Sequence, residues 1–350
     1  MKRKLNNMES AIPAKGEDIF MKVFKYYKSN NQKPSYDNVI SIARNTCTTE
    51  LDAVNVNSSQ IDDARLELLG LHKCSEWKQY SFKRHPGLIL IKNPFTGLGQ
   101  RYWIRQCLEE YPKKPNKKNI DIDTDLSDWW QECYKDGQLN RKLQKKLRWT
   151  TLGYHHDWDS KVYSEENKSP FPKDLAELCD VVALYLNYKN FKAEAAIVNY
   201  YHMGSTLSAH TDHSEVNLEA PLFSFSFGQS AIFLLGGHEK STEPSAILLD
   251  SGDIVVMSKE ARLCYHAVPK ILPASSRPWD QSDFKPITCN GSSFKYIDDK
   301  DYITLVNRNS DNTEWKDFSI YTEESRININ VRQVLNENQS TLTDSNFNDT

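Results

Sequence analysis

From Ala193 to Met257 the chain repeats one texture, which restricts the fold more than any other feature. Ala195-Ala-Ile-Val198 is continuous and apolar, and Leu222 to Phe227 alternates after its first residue. Ala231 to Leu235 and Ala246 to Leu249 are again apolar runs. Asp250-Ser-Gly-Asp253 is turn chemistry, and Ile254 to Met257 returns as a strand. Short strands at this spacing build a sandwich or a barrel, and a double-sheet jelly roll manages its edges well. The expected fold is α+β, a jelly-roll core behind an N-terminal helical extension.

Around that block the text is less regular. Phe20, Val23, Phe24 and Tyr27 make one helical stripe over residues 17–29, with Lys22, Lys25 and Lys28 elsewhere. This predicts a helix docked on its own domain; the alternative is one that meets nucleic acid through its lysines. Residues 30–80 read as polar and irregular, apart from a short helix near Asp62 to Leu71. His85 to Ile91 is strand-like, Tyr102 to Tyr111 helical, and Pro172 to Tyr185 helical. Residues 272–318, rich in Pro, Ser, Asp and Asn, read as an insertion with little regular structure. The expected organisation is a flexible 1–15, a helical and substrate-facing region over 16–148, the core over 149–335 and a disordered tail over 336–350.

Composition excludes several classes. In 350 residues, 44 Lys and Arg nearly balance 47 Asp and Glu, so no global basic field argues for nucleic acid, and any such case rests on local patches. Seven cysteines without a C-x-x-C pair argue against a secreted disulfide framework and a structural zinc site. No apolar run approaches the roughly 18 residues of a membrane span. The basic start, Met1-Lys-Arg-Lys-Leu5, has no apolar signal core behind it and makes a weak mitochondrial presequence. An intracellular, membrane-free monomer is expected.

The apolar lead-in at 195–198 runs into Asn199 and Tyr201, which share one strand face. After the turn at Met203-Gly-Ser205 comes His210-Thr-Asp212, whose imidazole and carboxylate also share a face. With a second histidine from elsewhere they would complete a two-His, one-carboxylate metal site with open positions. A lone H-x-D is weak, since chance supplies roughly 0.5 per chain like this one. This chain has two; His155-His-Asp157 leads into a loop, whereas His210-Thr-Asp212 follows a strand and precedes a sheet, where ligands are held rigidly. His266, in Leu263-Cys-Tyr-His-Ala-Val268, is the expected third ligand; His202, His213 and His238 are rivals.

The stretch Arg326-Ile-Asn-Ile-Asn-Val-Arg332 puts Arg326, Asn328, Asn330 and Arg332 on one face and three aliphatics on the other. The polar face is either a solvated edge or a clamp for a small diacid. The two arginine Cα atoms lie about 20 Å apart along a strand, and guanidinium forks hold carboxylates bidentately. Asn199 and Tyr201 could add neutral donors. A metal triad beside such a clamp implies iron with 2-oxoglutarate.

Two basic clusters precede the core: Lys113, Lys114, Lys117 and Lys118 in a Pro-broken loop, and Arg141, Lys142, Lys145, Lys146 and Arg148 on a helix ending at Trp149. Tyr154, His155, His156 and Trp158 follow at once. Basic residues followed by flat rings are either a solvated face beside core aromatics or a site that holds phosphates and stacks an extruded base. Arg141, Lys145, Arg148, Trp149, Tyr154 and Trp158 are the candidates for substrate contact.

At these residues the chain resembles the AlkB family of Fe(II)/2-oxoglutarate dioxygenases, closest to its animal homologue-one branch. The family's H-x-D, distant His and R-x-N-x-x-x-R fall on His210/Asp212, His266 and Arg326/Asn328/Arg332. Leu147 to Tyr154, Trp158 to Lys161, Phe223 to Gly237 and Val331 to Leu335 resemble that branch, and the likeness covers roughly residues 16–335. It implies a double-stranded β-helix (jelly roll) catalytic core, with Fe(II), 2-oxoglutarate and dioxygen as cofactor and co-substrates. Asn199, Tyr201, Arg326, Asn328 and Arg332 would bind 2-oxoglutarate. The implied substrate is tRNA, through 1-methyladenosine demethylation and 5-methylcytidine oxidation, with DNA N6-methyladenine and an abasic-site lyase activity beside it, in mitochondrion, nucleus or cytoplasm. Asn330 replaces a commoner Thr, and Lys259 stands where a turn Gly is usual. The rivals are a protein-directed hydroxylase or demethylase, a non-catalytic nucleic-acid binder and a hydrolytic zinc site, which would leave both arginines without a role.

Overall fold

Strand β15 (Ser325–Arg332) lies in the interior of the molecule's larger sheet, next to its middle strand. That sheet has nine strands in the order β1 (Leu51–Val54), β2 (Lys78–Phe82), β3 (His85–Lys92), β13 (Ile254–Met257), β10 (Leu222–Gly228), β15, β8 (Ala195–His202), β7 (Trp149–Gly153) and β4 (Lys117–Lys118). A second sheet of four strands runs β12 (Ser245–Leu249), β11 (Ser230–Leu235), β14 (His266–Leu272) and β9 (Leu207–His210). The strand pairs in both sheets are antiparallel. A two-strand ribbon, β5 (Tyr134–Lys135) with β6 (Gln138–Leu139), stands apart. The helices are α1 (Ile19–Lys28), α2 (Asp63–Leu68), α3 (Gly97–Arg105), α4 (Trp129–Cys133), α5 (Arg141–Lys146), α6 (Lys173–Tyr185), α7 (Tyr302–Asn307) and α8 (Asn312–Thr322). The computed structural model describes residues 17–56, 61–121, 126–135, 138–288, 294–298 and 301–344. The expected flexible 1–15 and the end of the expected disordered tail lie outside them.

Period-two alternation divides the larger sheet into two environments. Ile327, Ile329 and Val331 of β15, Phe223, Phe225 and Phe227 of β10, and Ala196, Val198 and Tyr200 of β8 join the core beneath α3 and α6. The opposite face meets the smaller sheet through Tyr201, Leu222, Val255 and Met257 on one side and Phe233, Leu249, Val268 and Ile271 on the other. Arg326, Asn328 and Arg332 are therefore buried between two sheets. The solvated-edge reading fails because β15 has a partner on both sides, β10 and β8. Two packed sheets with helices outside are the expected α+β jelly-roll arrangement.

The N-terminal helix docks as predicted. Phe20, Phe24 and Tyr27 pack on Ile232, Leu234 and Ala267, on the outer face of the smaller sheet. Its start is capped by Asp18, whose carboxylate accepts the Met21 amide at 2.7 Å.

Several expectations need correction. Residues 30–80 contain β1 and β2; these strands take their register from β3 and carry little apolar alternation of their own. The helix expected over 102–111 starts earlier, at Gly97, where Thr96 Oγ1 accepts the Gly99 amide at 3.0 Å. Two glycines hid that start: a Cβ on Gly99 would fall 2.1 Å from the Gly70 carbonyl oxygen, so the contact requires glycine. The helix ends in one wide π turn, Gln106–Glu110. The basic helix stops at Lys146, and Trp149 opens β7.

The stretch 272–318 is the largest correction, since it contributes α7, α8 and buried Trp279, Trp315 and Phe318. Its anchor is Arg101, with the guanidinium carbon 4.6 Å from the Phe284 ring centre and 4.9 Å from that of Trp315. Arg101 also donates to the carbonyls of Trp279, Gln281 and Asn309. Part of the tail packs on the core: the Leu342 amide donates to Glu165 at 2.7 Å, and its side chain packs beside Tyr154 and Tyr163. Strands β1 to β4 hydrogen-bond into the same sheet as β7 and β8, so that sheet runs across the expected boundary at 148/149.

Candidate active site

Register places the metal candidates. β14 pairs with β9 so that His266 stands opposite His210, with ring centres 4.2 Å apart. Asp212 lies just past the end of β9, with Oδ1 3.7 Å from His210 Nε2 and Oδ2 3.9 Å from His266 Nε2. One ligand atom from each of the three residues lies within 4.8 Å of the others. Each imidazole is fixed from behind. His210 Nδ1 is 2.9 Å from the Ser208 carbonyl, and His266 Nδ1 is 3.1 Å from that of Cys264. A ring nitrogen held on a carbonyl is a donor, which leaves Nε2 as the lone pair for a metal. Two neutral imidazoles and one carboxylate fit a divalent first-row metal, and iron(II) suits this set.

Electrostatics keep His266 and Asp212 deprotonated. Burial, then neighbouring His210, pushes His266 down to about 4. Burial works against the Asp212 carboxylate, but Arg332, His266 and His210 together hold it well below the usual carboxylate range. Arg332 donates Nη2 to Asp212 Oδ2 at 2.7 Å, and its Nε lies 3.1 Å from Glu215.

The two terminal-strand arginines therefore differ in their surroundings. Arg332 is engaged by two carboxylates. Arg326 is not: Nη2 donates to Ser226 Oγ at 2.9 Å, while Nε and Nη1 are buried without a partner among the described residues. Its guanidinium carbon lies 5.5 Å from the ring centre of Tyr201, whose buried hydroxyl also lacks a partner. Burial pushes Arg326 down to about 10, still charged at neutral pH. Asn328 is occupied, its amide donating to Ser224 Oγ and the Phe225 carbonyl, both at 2.9 Å. Tyr201, Arg326, Asn328 and the three metal candidates line one narrow pocket between the sheets. Unpaired buried donors beside a metal-competent triad are what a small anionic co-substrate would satisfy.

Outside that pocket lies an open cleft of about 600 Å³ that reaches His210 and Asp212 and is walled by Asn199, Trp158 and Tyr163. Trp158 is exposed, its ring centre 5.2 Å from Trp149 and 4.8 Å from His156. Tyr154 is not part of this wall. It is buried, its hydroxyl bonds Glu165, and Lys168 lies over its ring. Arg141, Lys145 and Arg148 are exposed, and Arg141 is paired with Glu324 at 3.0 Å. The rivals fall elsewhere. His155 is buried on Thr151, His202 bonds Ser325, and His213 and His238 are exposed. Sequence reasoning missed Glu215, Arg262 and Tyr163, which meet only through folding; the one available signal was the acid three residues beyond Asp212.

The description 2OG-Fe(II) oxygenase superfamily matches residues 87–332. The chain is 36% identical to the nucleic acid dioxygenase ALKBH1 of Homo sapiens over 355 residues, 95% of this chain and 86% of that protein. It is 36% identical to the tRNA demethylase abh1 of Schizosaccharomyces pombe over 262 residues, 68% of this chain and 87% of that protein. It is 29% identical to the DNA N(6)-methyladenine demethylase ALKBH1A of Arabidopsis thaliana over 290 residues, 73% of this chain and 77% of that protein.

Proposed function

The chain belongs to the 2OG-Fe(II) oxygenase superfamily, and from that membership we propose that it is a nucleic acid dioxygenase that oxidatively demethylates methylated bases. The observation that carries this reading is the pairing of the His210, Asp212 and His266 cluster with the unpartnered nitrogens of Arg326 in one pocket. The kinship with a nucleic acid dioxygenase, a tRNA demethylase and a DNA demethylase supports the substrate class. Demethylation of 1-methyladenosine and oxidation of the 5-methylcytidine methyl group to an alcohol or aldehyde, both in tRNA, are the first reactions proposed, and demethylation of DNA N6-methyladenine the second.

When bound, iron(II) with 2-oxoglutarate and dioxygen supplies the oxidising chemistry, in which decarboxylation of the co-substrate is coupled to hydroxylation of a methyl group. The chain's residues do the rest. His210, Asp212 and His266 would hold the metal on one side and leave the other side open. Arg326, with the Tyr201 hydroxyl, would take a co-substrate carboxylate, and Asn199 and Arg332 lie toward the open cleft. The apolar wall of Leu222, Phe233, Leu249 and Val268 keeps water from the inner pocket. Trp158, with Trp149 against it, would stack a base in the cleft, and the exposed cations of α5 would meet phosphates. A hydroxymethyl group formed on a base nitrogen collapses to formaldehyde and the free base.

The test is mass spectrometry of modified nucleosides in tRNA and DNA after incubation with iron(II), 2-oxoglutarate and ascorbate. Loss of a methylated nucleoside with matching succinate, abolished in Asp212→Ala, is expected. Succinate release without any change in tRNA or DNA nucleosides would point to a protein substrate.

A further inference from the structure

Glu215 lies three residues beyond Asp212, on the loop that leaves the metal site, and is buried. It is the meeting point of two guanidiniums. Its Oε1 lies 3.1 Å from Arg332 Nε, and its Oε2 accepts from Arg262 Nη2 at 2.9 Å. Arg262 is itself buried and donates to the carbonyl of Asp212 at 2.8 Å and to that of Ala220 at 3.1 Å. Tyr163, from the cleft wall, directs its hydroxyl to Glu215 Oε1 at 3.4 Å. Two arginines and two carboxylates thus share one desolvated cluster with balanced charge.

The division of Arg332 between its partners is what matters. A guanidinium's Nε and one Nη form a fork that grips both oxygens of a carboxylate. Here Glu215 forms an ion pair with Nε at 3.1 Å, Nη1 donates to the Asn330 carbonyl at 3.3 Å, and only Nη2 reaches Asp212, at Oδ2. Asp212 Oδ1 stays clear of the fork and faces His210 Nε2. We propose that Glu215 is a positioning residue for the metal carboxylate: by engaging Arg332 Nε it prevents a two-toothed grip on Asp212 and keeps one carboxylate oxygen available to the metal. Without Glu215, Arg332 turns its full fork onto Asp212 and competes with the metal for both oxygens. The inference rests on the reading of His210, Asp212 and His266 as a metal site.

Mn(II), which can be followed by loss of the free-ion paramagnetic resonance signal, tests both readings without turnover. Wild-type protein is titrated first; failure to bind Mn(II) would overturn the metal-site reading itself, and the role of Glu215 with it. Given wild-type binding, Glu215→Ala is expected to bind about 10–100-fold more weakly, the usual effect of losing a residue that orients a metal ligand. Adding Arg332→Lys to that variant is expected to restore affinity to within a few-fold, because an ammonium cannot fork. Should Glu215→Ala fail to fold, Glu215→Leu with Arg262→Met removes one charge of each sign, as buried pairs often tolerate. The same loss, and the same rescue by Arg332→Lys, are expected there. Unchanged affinity on removing Glu215, or a loss that Arg332→Lys does not restore, would overturn the proposal.

Discussion

Arg326 and Tyr201 face each other across β15 and β8, paired in register, each with buried polar atoms that no neighbour among the described residues satisfies. Leaving buried donors unmade is costly, so the arrangement makes sense as one half of a binding interaction. Arg326→Ala should raise the KM for 2-oxoglutarate about 10–100-fold, the worth of a charged hydrogen bond at about 1.5–3 kcal/mol. Mn(II) affinity should stay near wild type, because Arg326 touches none of the three metal candidates. An unchanged KM would assign the co-substrate to another cation.

Trp158 is 48% exposed and borders the cleft, so removing its ring should cost little stability. Stacking on an aromatic ring is worth about 1–3 kcal/mol per base. Trp158→Ala should therefore lower kcat/KM on a methylated oligonucleotide by roughly 5–100-fold, with melting temperature and the KM for 2-oxoglutarate both unmoved. A variant that keeps wild-type kcat/KM would remove Trp158 from the substrate wall.

His85 is far from that chemistry, buried on β3 with Nε2 2.8 Å from Ser245 Oγ. Burial, then Arg84, pushes it from 6.5 down to about 4. Between those values the unfolded chain takes up a proton at this histidine and the folded chain does not. Stability therefore falls as pH drops through this window, by about 3 kcal/mol when complete. Denaturant midpoints of wild type and His85→Asn, compared at pH 7 and pH 4.5, should show a smaller pH-dependent loss in the variant. Parallel curves would contradict the assignment.

Lys259 has a φ of 49°, in the left-handed region, at the start of the turn before β14. A side chain there costs about 1–2 kcal/mol, partly offset by the greater backbone freedom of a glycine. Lys259→Gly should stabilise the protein by up to about 1 kcal/mol, read as a higher denaturant midpoint at unchanged slope. A lower midpoint would mean that the lysine side chain contributes more than its backbone costs.

Alternation in 326–332 and the two histidine-bearing strands made much of the inner pocket legible, because a period of two fixes which side chains share a face. What β15 packs against was not legible, since only the fold decides whether a polar face meets water or another sheet. Arg332 and Arg326 look equivalent in the sequence. Their different surroundings come from Asp212 and Glu215, which both reach Arg332 and whose approach depends on the path of the loop after β9. The stretch 272–318 misled because its large rings are scattered through polar text; Trp279, Phe284 and Trp315 cohere only around Arg101, far away in the chain.

The interior place of β15 bears on how the protein is made. Without residues 325–332 the larger sheet would be two separate pieces. β1, β2, β3, β13 and β10 form one, and β8, β7 and β4 the other, each with an unsatisfied rim where β15 will insert. Insertion of that one strand joins the pieces and delivers both arginines in the same event. A nascent chain stalled short of it would offer chaperones two sticky borders, and it would lack the arginines proposed to hold the co-substrate.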